Sequence, residues 1–325
     1  MPNATTAGAD KIIVTNSSGD GWDYIAATAD TLVVRDENGT AKFGAPTDPE
    51  HPVRLGDTSL RENVKVTVGA GGDFPTINAA VLHLSRFTPD LGVTAEVELQ
   101  SGFVMMEQLF VEGLDLGWIT ITGVDAETVI NEPSLTMVLI DDTKPAFGVI
   151  NGTLPTIGQL FRFSSKGNVA DKRSGVMAHS IGRANVLAGY GVKNAGYQGL
   201  CASQGSTINA NGAIASGAGD SGVSALIGST VNAQDANASS AGNYGVYAWK
   251  ASMVDATNAY AAGAGQFGIV AAQGSTINAV GANGSGSGSS GIATYDGSTV
   301  NARNATGTLS QAKNTVTSNG IIFQP

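Results

Sequence analysis

Apolar residues recur at fixed positions through the second half of the chain. In units of 23 residues that begin at successive glycines, the second, fourth, tenth and twelfth positions are apolar, with one threonine among them. A spacing of two residues places side chains on the same face of a strand. Each unit is therefore predicted to contain at least two short strands with an inward apolar face. The units begin at Gly199, Gly222, Gly245, Gly268 and Gly291.

One hexapeptide is nearly unchanged from unit to unit. It is "GSTINA" at residues 205–210 and returns as "GSTVNA", "ASMVDA", "GSTINA" and "GSTVNA". We predict that its Ile or Val and its Ala face inward, while Thr and Asn form ladders, because stacked strands bring identical side chains close together. A ligand array is the alternative for the Asn positions. The predicted amide ladder consists of Asn209, Asn232, Asp255, Asn278 and Asn301.

A fixed period in the twenties is typical of a solenoid. With about three short strands per unit, each strand can pair with its counterpart one coil away. Glycines near the unit boundaries separate the strands by turns. The sequence therefore predicts an all-β fold, a single-stranded parallel β-helix with coils of about 23 residues.

Three zones are predicted along the chain. Residues 1–62 form a small N-terminal module and linker, with a hairpin signal centred on Asn38-Gly39. Residues 63–147 hold a capping helix and the first β-helix coils, and residues 148–325 form the regular β-helix rod.

The one helix predicted in the second zone follows a glycine-rich turn. Its apolar residues fall on a single face, and Thr76 and Asp73 are both candidates for the N-cap. One helix before many short strands suggests that it closes the end of the β stack. The residues of the apolar face are Ile77, Ala80, Val81 and Leu84.

The amino-acid composition limits the kinds of molecule that the protein is expected to bind. The formal net charge is −10 at pH 7, which disfavours binding to nucleic acid or to an anionic membrane surface. No secretory signal and no apolar run long enough to span a membrane are predicted. The single cysteine, Cys201, excludes an intrachain disulfide.

No cofactor and no metal are predicted. The three histidines are scattered over the three zones without metal-ligand spacing. Several G-x-G-x-x-G stretches occur, but they recur at the same phase of a β repeat with no helix after them, as turn glycines would.

Glu107 and Glu112 are candidate carboxylates for catalysis, and four others are the preferred ones. Glu96 and Glu98 share one strand face, and Asp141 and Asp142 are adjacent in the chain. Hydrolysis of a glycosidic bond uses two carboxyl groups several ångströms apart, so such pairs are the first place to look. The simpler interpretation is that they form a solvated strand face, and we therefore expect no catalytic residues.

Aromatic residues cluster in the unit that carries the deviant "ASMVDA". Alternation predicts that Trp249 and Tyr295 share an outward column, and Lys250 follows Trp249 directly. Exposed aromatic rings beside polar groups suit either stacking on sugars or burial against a neighbouring subunit, and both remain open. The candidate residues are Tyr247, Trp249, Lys250, Tyr260 and Tyr295.

Three segments and the tandem units carry a resemblance to a known family. "GGDFPTINAAVLHLSRF" and "LGWITITG" resemble the opening of the pectate-lyase-like β-helices of bacteriophage tailspikes and tail fibres. "LVVRDENGTAKFGAPTDPEHPVR" is similar to the N-termini that anchor such fibres to the virion, and the tandem units resemble their rods.

The resemblance implies a right-handed β-helix and a homotrimeric virion protein made in the host cytoplasm. It also implies that other virion proteins hold residues 1–62 and that the rod binds host-surface polysaccharide. The depolymerising members carry clustered acidic residues on the rod, and this rod has few. We therefore expect adhesion without catalysis. The first alternative is a polysaccharide depolymerase that uses Glu96, Glu98, Asp141 or Asp142. A second is a bacterial adhesin or surface β-helix, which the lack of a predicted secretory signal disfavours.

Overall fold

The computed structural model describes residues 11–15, 22–26, 34–35, 41–42, 59–131, 138–165, 169–307, 314–316 and 319–323. The chain divides into two compact units, Met1–Ser59 and Leu60–Pro325.

The first unit contains two antiparallel strand pairs. Strands β1 (Lys11–Thr15) and β2 (Trp22–Ala26) form one pair, and β3 (Val34–Arg35) and β4 (Ala41–Lys42) form the other. Strands β3 and β4 flank the predicted Asn38-Gly39 turn. The turn and most of the predicted attachment module lie outside the described residues.

The second unit is mostly β, with long parallel sheets. Short strands β5 (Ser59–Leu60) and β7 (Thr88–Pro89) lie near its beginning. One four-stranded sheet consists of β6 (Val64–Val68), β8 (Ala95–Leu99), β11 (Ile119–Gly123) and β14 (Thr156–Ile157). The other consists of β9 (Val104–Met105), β12 (Thr128–Ile130), β15 (Leu160–Phe163) and β18 (Gly191–Lys193).

Two longer sheets run through the repeat region. The nine-stranded sheet consists of β10 (Leu109–Glu112), β13 (Lys144–Ile150), β16 (Arg173–His179), β19 (Leu200–Ser203), β21 (Ser221–Leu226), β23 (Tyr244–Trp249), β25 (Phe267–Ala272), β27 (Ser290–Thr294) and β29 (Asn314–Val316). The seven-stranded sheet consists of β17 (Arg183–Asn185), β20 (Thr207–Asn209), β22 (Thr230–Asn232), β24 (Met253–Asp255), β26 (Thr276–Asn278), β28 (Thr299–Asn301) and β30 (Ile321–Phe323).

Strands of the repeat pair in parallel with the equivalent strand of the next unit. Thr207 pairs with Thr230, and Thr230 pairs with Met253. A third line of contact consists of isolated parallel bridges, including Asn237 to Tyr260 and Tyr260 to Asn283. Parallel pairing of successive equivalents is what an all-β parallel solenoid requires.

The apolar columns predicted to face inward are buried, which confirms that part of the sequence interpretation. Val231, Val246 and Ala248 have no exposed surface. The buried core of the repeat units consists mainly of Ala, Val and Ile. The alanine column of the hexapeptide shows this most clearly, with Ala210, Ala233, Ala256, Ala279 and Ala302 all buried.

The predicted helix is also confirmed, as α1 (Ile77–Leu84). Its buried residues are those of the predicted apolar face, Ile77, Ala80, Val81 and Leu84. Thr76 is the N-cap, since its Oγ1 accepts a hydrogen bond of 3.1 Å from the Ala79 N–H. Asp73 accepts instead from the backbone N–H and the hydroxyl of Thr67. A short 3-10 turn covers Val169–Asp171, and no described helix is long and apolar enough to cross a membrane.

A ladder of buried serines was not predicted from the hexapeptide. The Ser206 N–H donates to the Ser229 Oγ at 3.2 Å, and the Ser229 N–H donates to the Ser252 Oγ at 3.3 Å. Ser275 and Ser298 continue the series. A small hydroxyl at this position supplies an acceptor to a buried backbone N–H, which would otherwise be costly to leave unpaired. The residue that follows this serine is an exposed threonine in three of the units, Thr207, Thr230 and Thr276, and is Met253 in the deviant unit.

Glycine is required where neighbouring units approach most closely. A Cβ on Gly242 would lie 1.8 Å from the carbonyl oxygen of Gly219, and a Cβ on Gly265 would lie 1.9 Å from the carbonyl oxygen of Gly242. Backbone of one unit therefore rests directly on backbone of the next, and no side chain fits between them.

Candidate functional site

The carboxylates Glu96 and Glu98 lie on the exposed face of β8. Both interact with the ammonium group of Lys65, which forms a short ion pair with Glu98 and lies 3.5 Å from Glu96. Glu96 also accepts a hydrogen bond of 2.7 Å from the hydroxyl of Thr122. The hydrogen bond to Glu98 is the main cause that raises the pKa of Lys65, so the cation stays charged. The pair thus shares one neutralising partner at an exposed surface.

Asp141 and Asp142 lie in a tight turn before β13. Both have positive φ values, 49° and 61°, and the turn is closed by reciprocal backbone hydrogen bonds of 2.8 Å between Ile140 and Thr143. Such a turn favours residues that tolerate left-handed backbone, including aspartate. Ile140 packs against Met177 of the nine-stranded sheet, whereas Glu96 and Glu98 belong to a four-stranded sheet. The structure therefore does not bring the two acidic pairs onto one sheet.

The asparagine column forms a series of side-chain hydrogen bonds between units. The Nδ2 of Asn209 donates to Asn185, that of Asn232 donates to Asn209, and that of Asn301 donates to Asn278, over 2.8–3.1 Å. Asn185, one unit upstream, is a member that the sequence comparison of units did not include.

Asp255 interrupts this series in one direction only. It accepts from the Nδ2 of Asn278 at 3.2 Å, but it has no donor to offer to Asn232. Its carboxylate binds Gln234 at 2.6 Å and the hydroxyl of Thr257 at 2.7 Å instead. Burial raises the pKa of this carboxyl, but the hydrogen bonds from Thr257, Gln234 and Asn278 outweigh burial, so the pKa lies below its ordinary value of 3.8.

Asp255→Asn is expected to make the protein less sensitive to acid. Because the folded-state pKa is depressed, the ionised Asp255 contributes stability above the unfolded-state pKa, and this contribution is lost as pH falls through the folded-state pKa. At pH 7 the variant should differ from the wild type by no more than about 1 kcal/mol, since Asn can still accept from Thr257 and Asn278. Below pH 4 the wild type should lose more stability than the variant.

Thermal unfolding followed by circular dichroism between pH 7 and pH 2.5 measures this difference. Asp235→Asn is the matched control, because Asp235 is an exposed aspartate at a turn in the same part of the chain. An identical acid response of the wild type and Asp255→Asn would contradict the assignment.

The aromatic candidates do not form one group. Trp249 lies at the end of β23, and the Lys250 Nζ sits 4.0 Å from the centroid of its ring. Tyr260 lies on the line of isolated bridges between Asn237 and Asn283, and it is 48% exposed. Tyr247 and Tyr295 each contact an aromatic residue that the sequence interpretation did not single out, Tyr244 and Phe267 respectively.

Four aromatic rings form what we call the aromatic patch, made of Tyr244, Tyr247, Phe267 and Tyr295. Tyr244 and Phe267 are stacked, with ring centroids 6.2 Å apart and an interplanar angle of 7°. Tyr244 also stacks on Tyr247 at 4.7 Å, and Phe267 meets Tyr295 edge-on at 5.8 Å. All four side chains are only partly buried. The patch therefore presents aromatic surface to solvent beside the nine-stranded sheet.

A row of polar side chains lies beside the aromatic patch; we call it the polar row, consisting of Asp220, Asn243 and Gln266. The Asn243 Nδ2 donates to Asp220 at 2.7 Å, and the Gln266 Nε2 donates to Asn243 at 3.2 Å. The backbone N–H groups of both Asn243 and Tyr244 donate to the carbonyl of Asp220 at 2.9 Å. Backbone and side-chain bonds thus fix the polar row next to the first ring of the patch.

The negative charge of Asp220 affects the pKa of the neighbouring tyrosines. Burial is the main cause that raises the pKa of Tyr197 and of Tyr244, and the negative charge of Asp220 raises both further. Tyr247 has a raised pKa as well, from burial, then Tyr244 and Asp220. These tyrosines stay neutral at physiological pH, so their hydroxyls can both donate and accept hydrogen bonds.

The sequence interpretation missed Tyr244, Phe267 and the whole polar row. These residues occupy the two positions just before the first glycine of a unit. Equivalent positions in successive units lie 23 residues apart, as Asp220 and Asn243 do. The comparison of columns began at the glycine and ran forward, so the positions directly before it were not aligned. An alignment of the units that included the two residues before each glycine would have shown these positions.

The outer face of the nine-stranded sheet carries a second apolar cluster, separate from the core. It contains Ile140, Met177 and Cys201, with Phe110, Ile150 and Leu226 packed against it. Burial raises the pKa of the Cys201 thiol to about 12, so this cysteine is an inert packing residue. The register leads from Cys201 through Ser224 to Tyr247, so the apolar face continues into the aromatic patch.

The described residues contain no group of three or more His, Cys, Asp or Glu side chains that could hold a metal ion. Comparison with known proteins gave no match to a described protein family and none to a curated protein sequence.

Proposed function

We propose that this protein is a virion fibre or spike that adheres to host-surface glycans without cleaving them. The observation that carries the proposal is the aromatic patch with the polar row beside it. Sugar rings have apolar C–H faces and a rim of hydroxyls. Stacked aromatic rings offer a surface for the faces, and fixed Asp, Asn and Gln side chains offer donors and acceptors for the rim.

The geometry suits a chain polymer better than a small ligand. Tyr244 and Phe267 repeat one unit apart, and Asp220, Asn243 and Gln266 repeat with them. A site that repeats along the protein can bind successive sugars of a polysaccharide, and linked contacts raise the overall affinity. The polysaccharide would run along the stacking direction of the units.

The fold that we propose is the right-handed parallel β-helix of the bacteriophage tailspikes and tail fibres that the chain resembles. One coil would correspond to the 23 residues that separate bonded equivalents such as Ser229 and Ser252. Helix α1 would cap the N-terminal end of the β-helix, because its buried face packs on the core beside β6 and β8. Residues 1–62 would attach the protein to other virion proteins.

The alternative, a polysaccharide depolymerase, has less support. Lys65 forms ion pairs with both Glu96 and Glu98, and the turn in which Asp141 and Asp142 lie accounts for those two residues. The polar row contains one carboxylate, Asp220, with two amides, whereas hydrolysis of a glycosidic bond ordinarily uses two carboxyl groups.

The experiment that separates the two functions is incubation of the full chain with capsular polysaccharides and lipopolysaccharides from bacteria. We expect retention on at least one immobilised polysaccharide, with no new reducing ends and no unsaturated sugars in solution. Release of oligosaccharides would establish the depolymerase instead. Absence of binding to every bacterial glycan tested would remove the adhesion proposal.

We further propose that the protein is a homotrimer. The half-buried Ile150 and Leu226 lie on the outer face of the nine-stranded sheet, on strands that precede the aromatic patch, and suit contact between copies of the chain that leaves the patch open. Light scattering on the binding-competent preparation should give the mass of three chains, and the mass of one chain would contradict this.

A further inference from the structure

Strand β10 is the last strand of the nine-stranded sheet. It pairs with β13 on one side, and no strand of the described residues pairs with its other side. A free strand edge presents unpaired N–H and C=O groups, which is the usual basis for adding a strand from another segment.

The hydrogen bonds show which backbone groups are free. The Gly113 N–H donates to Ile150 of β13, so odd-numbered residues of this segment point toward β13. In a parallel ladder successive residues alternate between the two sides, so the N–H and C=O groups of Phe110 and Glu112 point away. The carbonyl of Gln108, which points the same way, accepts from the Asn78 side chain at 2.9 Å. Among the described residues, the outward backbone groups of Phe110 and Glu112 make no hydrogen bond.

This edge forms the floor of an open groove of about 590 Å³ between α1 and β10. Apolar side chains line it although they are largely exposed. Leu82 is 61% exposed, Met106 56%, Val138 51% and Leu114 47%. Apolar walls beside a free strand edge are the two features that a β-strand needs from a binding site, one for its side chains and one for its backbone.

The groove carries negatively charged side chains. Glu107 and Glu112 both line it, and Glu112 is exposed and forms no ion pair with any described residue. Glu107 accepts a hydrogen bond from the Asn78 N–H, which holds its charge in place. An occupant with a Lys or Arg side chain opposite Glu112 would complement this charge.

We propose that β10 binds an extended segment of a partner protein as an added strand. The segment has apolar side chains at alternate positions and a Lys or Arg near Glu112. The apolar residues enter the groove between α1 and β10, while the backbone pairs with Phe110 and Glu112. The inference does not depend on glycan binding, because the groove is lined by residues 78–138 and the aromatic patch lies within residues 244–295.

The first test uses an acetylated eight-residue peptide in which valine alternates with lysine and threonine. Amide hydrogen exchange of residues 107–113 is measured in the full chain. We expect fast exchange at Phe110 and Glu112 in the free protein, and exchange at least tenfold slower with saturating peptide. The same peptide N-methylated at alternate residues lacks the donors and should have no effect.

Three results would overturn the proposal. They are slow exchange at both residues in the free protein, unchanged exchange at millimolar peptide, and equal protection by the N-methylated peptide. The first would mean that another part of the chain or a second copy already occupies the edge.

Substitutions at Glu112 separate backbone pairing from charge. Glu112→Pro removes both the outward N–H and the charge, and proline is tolerated at an edge strand. It should weaken the peptide at least tenfold, whereas Glu112→Gln, which removes only the charge, should weaken it about threefold. Asp296→Asn, an exposed aspartate outside the groove, is the control for net charge. Equal affinity in all three variants would overturn the proposal.

Discussion

Replacing Gly242 by alanine is expected to destabilise the second unit by about 3 kcal/mol, near the upper end of the ordinary cost of overpacking. The added Cβ would lie 1.8 Å from the carbonyl oxygen of Gly219. That atom belongs to the backbone of the neighbouring unit, so no side-chain rotation can relieve the contact and the two units must move apart. The midpoint of thermal unfolding should fall by roughly 6 °C or more.

Gly228→Asn is the matched control for this experiment. Gly228 has a φ of 68°, and nothing lies within 4 Å of a Cβ placed on it. Asparagine tolerates left-handed backbone, so this change should cost much less than Gly242→Ala. Equal midpoints for Gly242→Ala and the wild type would mean that the two units do not touch through Gly219.

Replacing Tyr244 and Phe267 together by alanine is expected to weaken glycan binding about 30-fold or more. A loss of about 1 kcal/mol for each ring, a modest value for an aromatic residue at an interface, corresponds to about 30-fold for the pair. These two rings are the stacked pair of the aromatic patch. The measurement is the dissociation constant for the polysaccharide identified by the adhesion experiment, with circular dichroism to verify the fold.

Tyr260→Ala is the control for loss of an aromatic ring. Tyr260 is more exposed than the rings of the patch, but it lies on the line of isolated bridges. Its replacement should leave the affinity within about twofold. A larger loss from Tyr260→Ala than from the double replacement would move the binding site to the face with the isolated bridges.

The β content and the inward columns could be predicted because burial repeats with the sequence. Alanines such as Ala233 and Ala256 have one physical role, which is to fill the core with small side chains. Their regular spacing in the sequence therefore indicates that they are buried. The helix was predictable for a similar reason, since Ile77, Ala80, Val81 and Leu84 share one face and Thr76 stands at the N-cap.

The candidate site was less predictable because its residues change type from unit to unit. The position of Tyr244 is Ser221 in one neighbouring unit and Phe267 in the other, so these residues share a spacing of 23 but not a residue type. Their shared surface depends on side chains that lean along the sheet, such as Tyr295 toward Phe267. Likewise, the serine ladder was hidden because a buried serine and an exposed threonine look alike in a polar stretch.

The serine ladder has a consequence for how the chain can change length. Each serine hydroxyl accepts a hydrogen bond from a backbone N–H of the unit before it, as the Ser252 Oγ does from the Ser229 N–H. The bond therefore needs only a serine at this position in the following unit. An insertion or deletion of 23 residues would keep every such bond between successive units. A unit of another length is an irregularity that affects only the bonds spanning it, as between Asn185 and Asn209, which lie 24 residues apart. The length of the repeat region can therefore change by whole units without loss of the hydrogen bonds of the serine ladder.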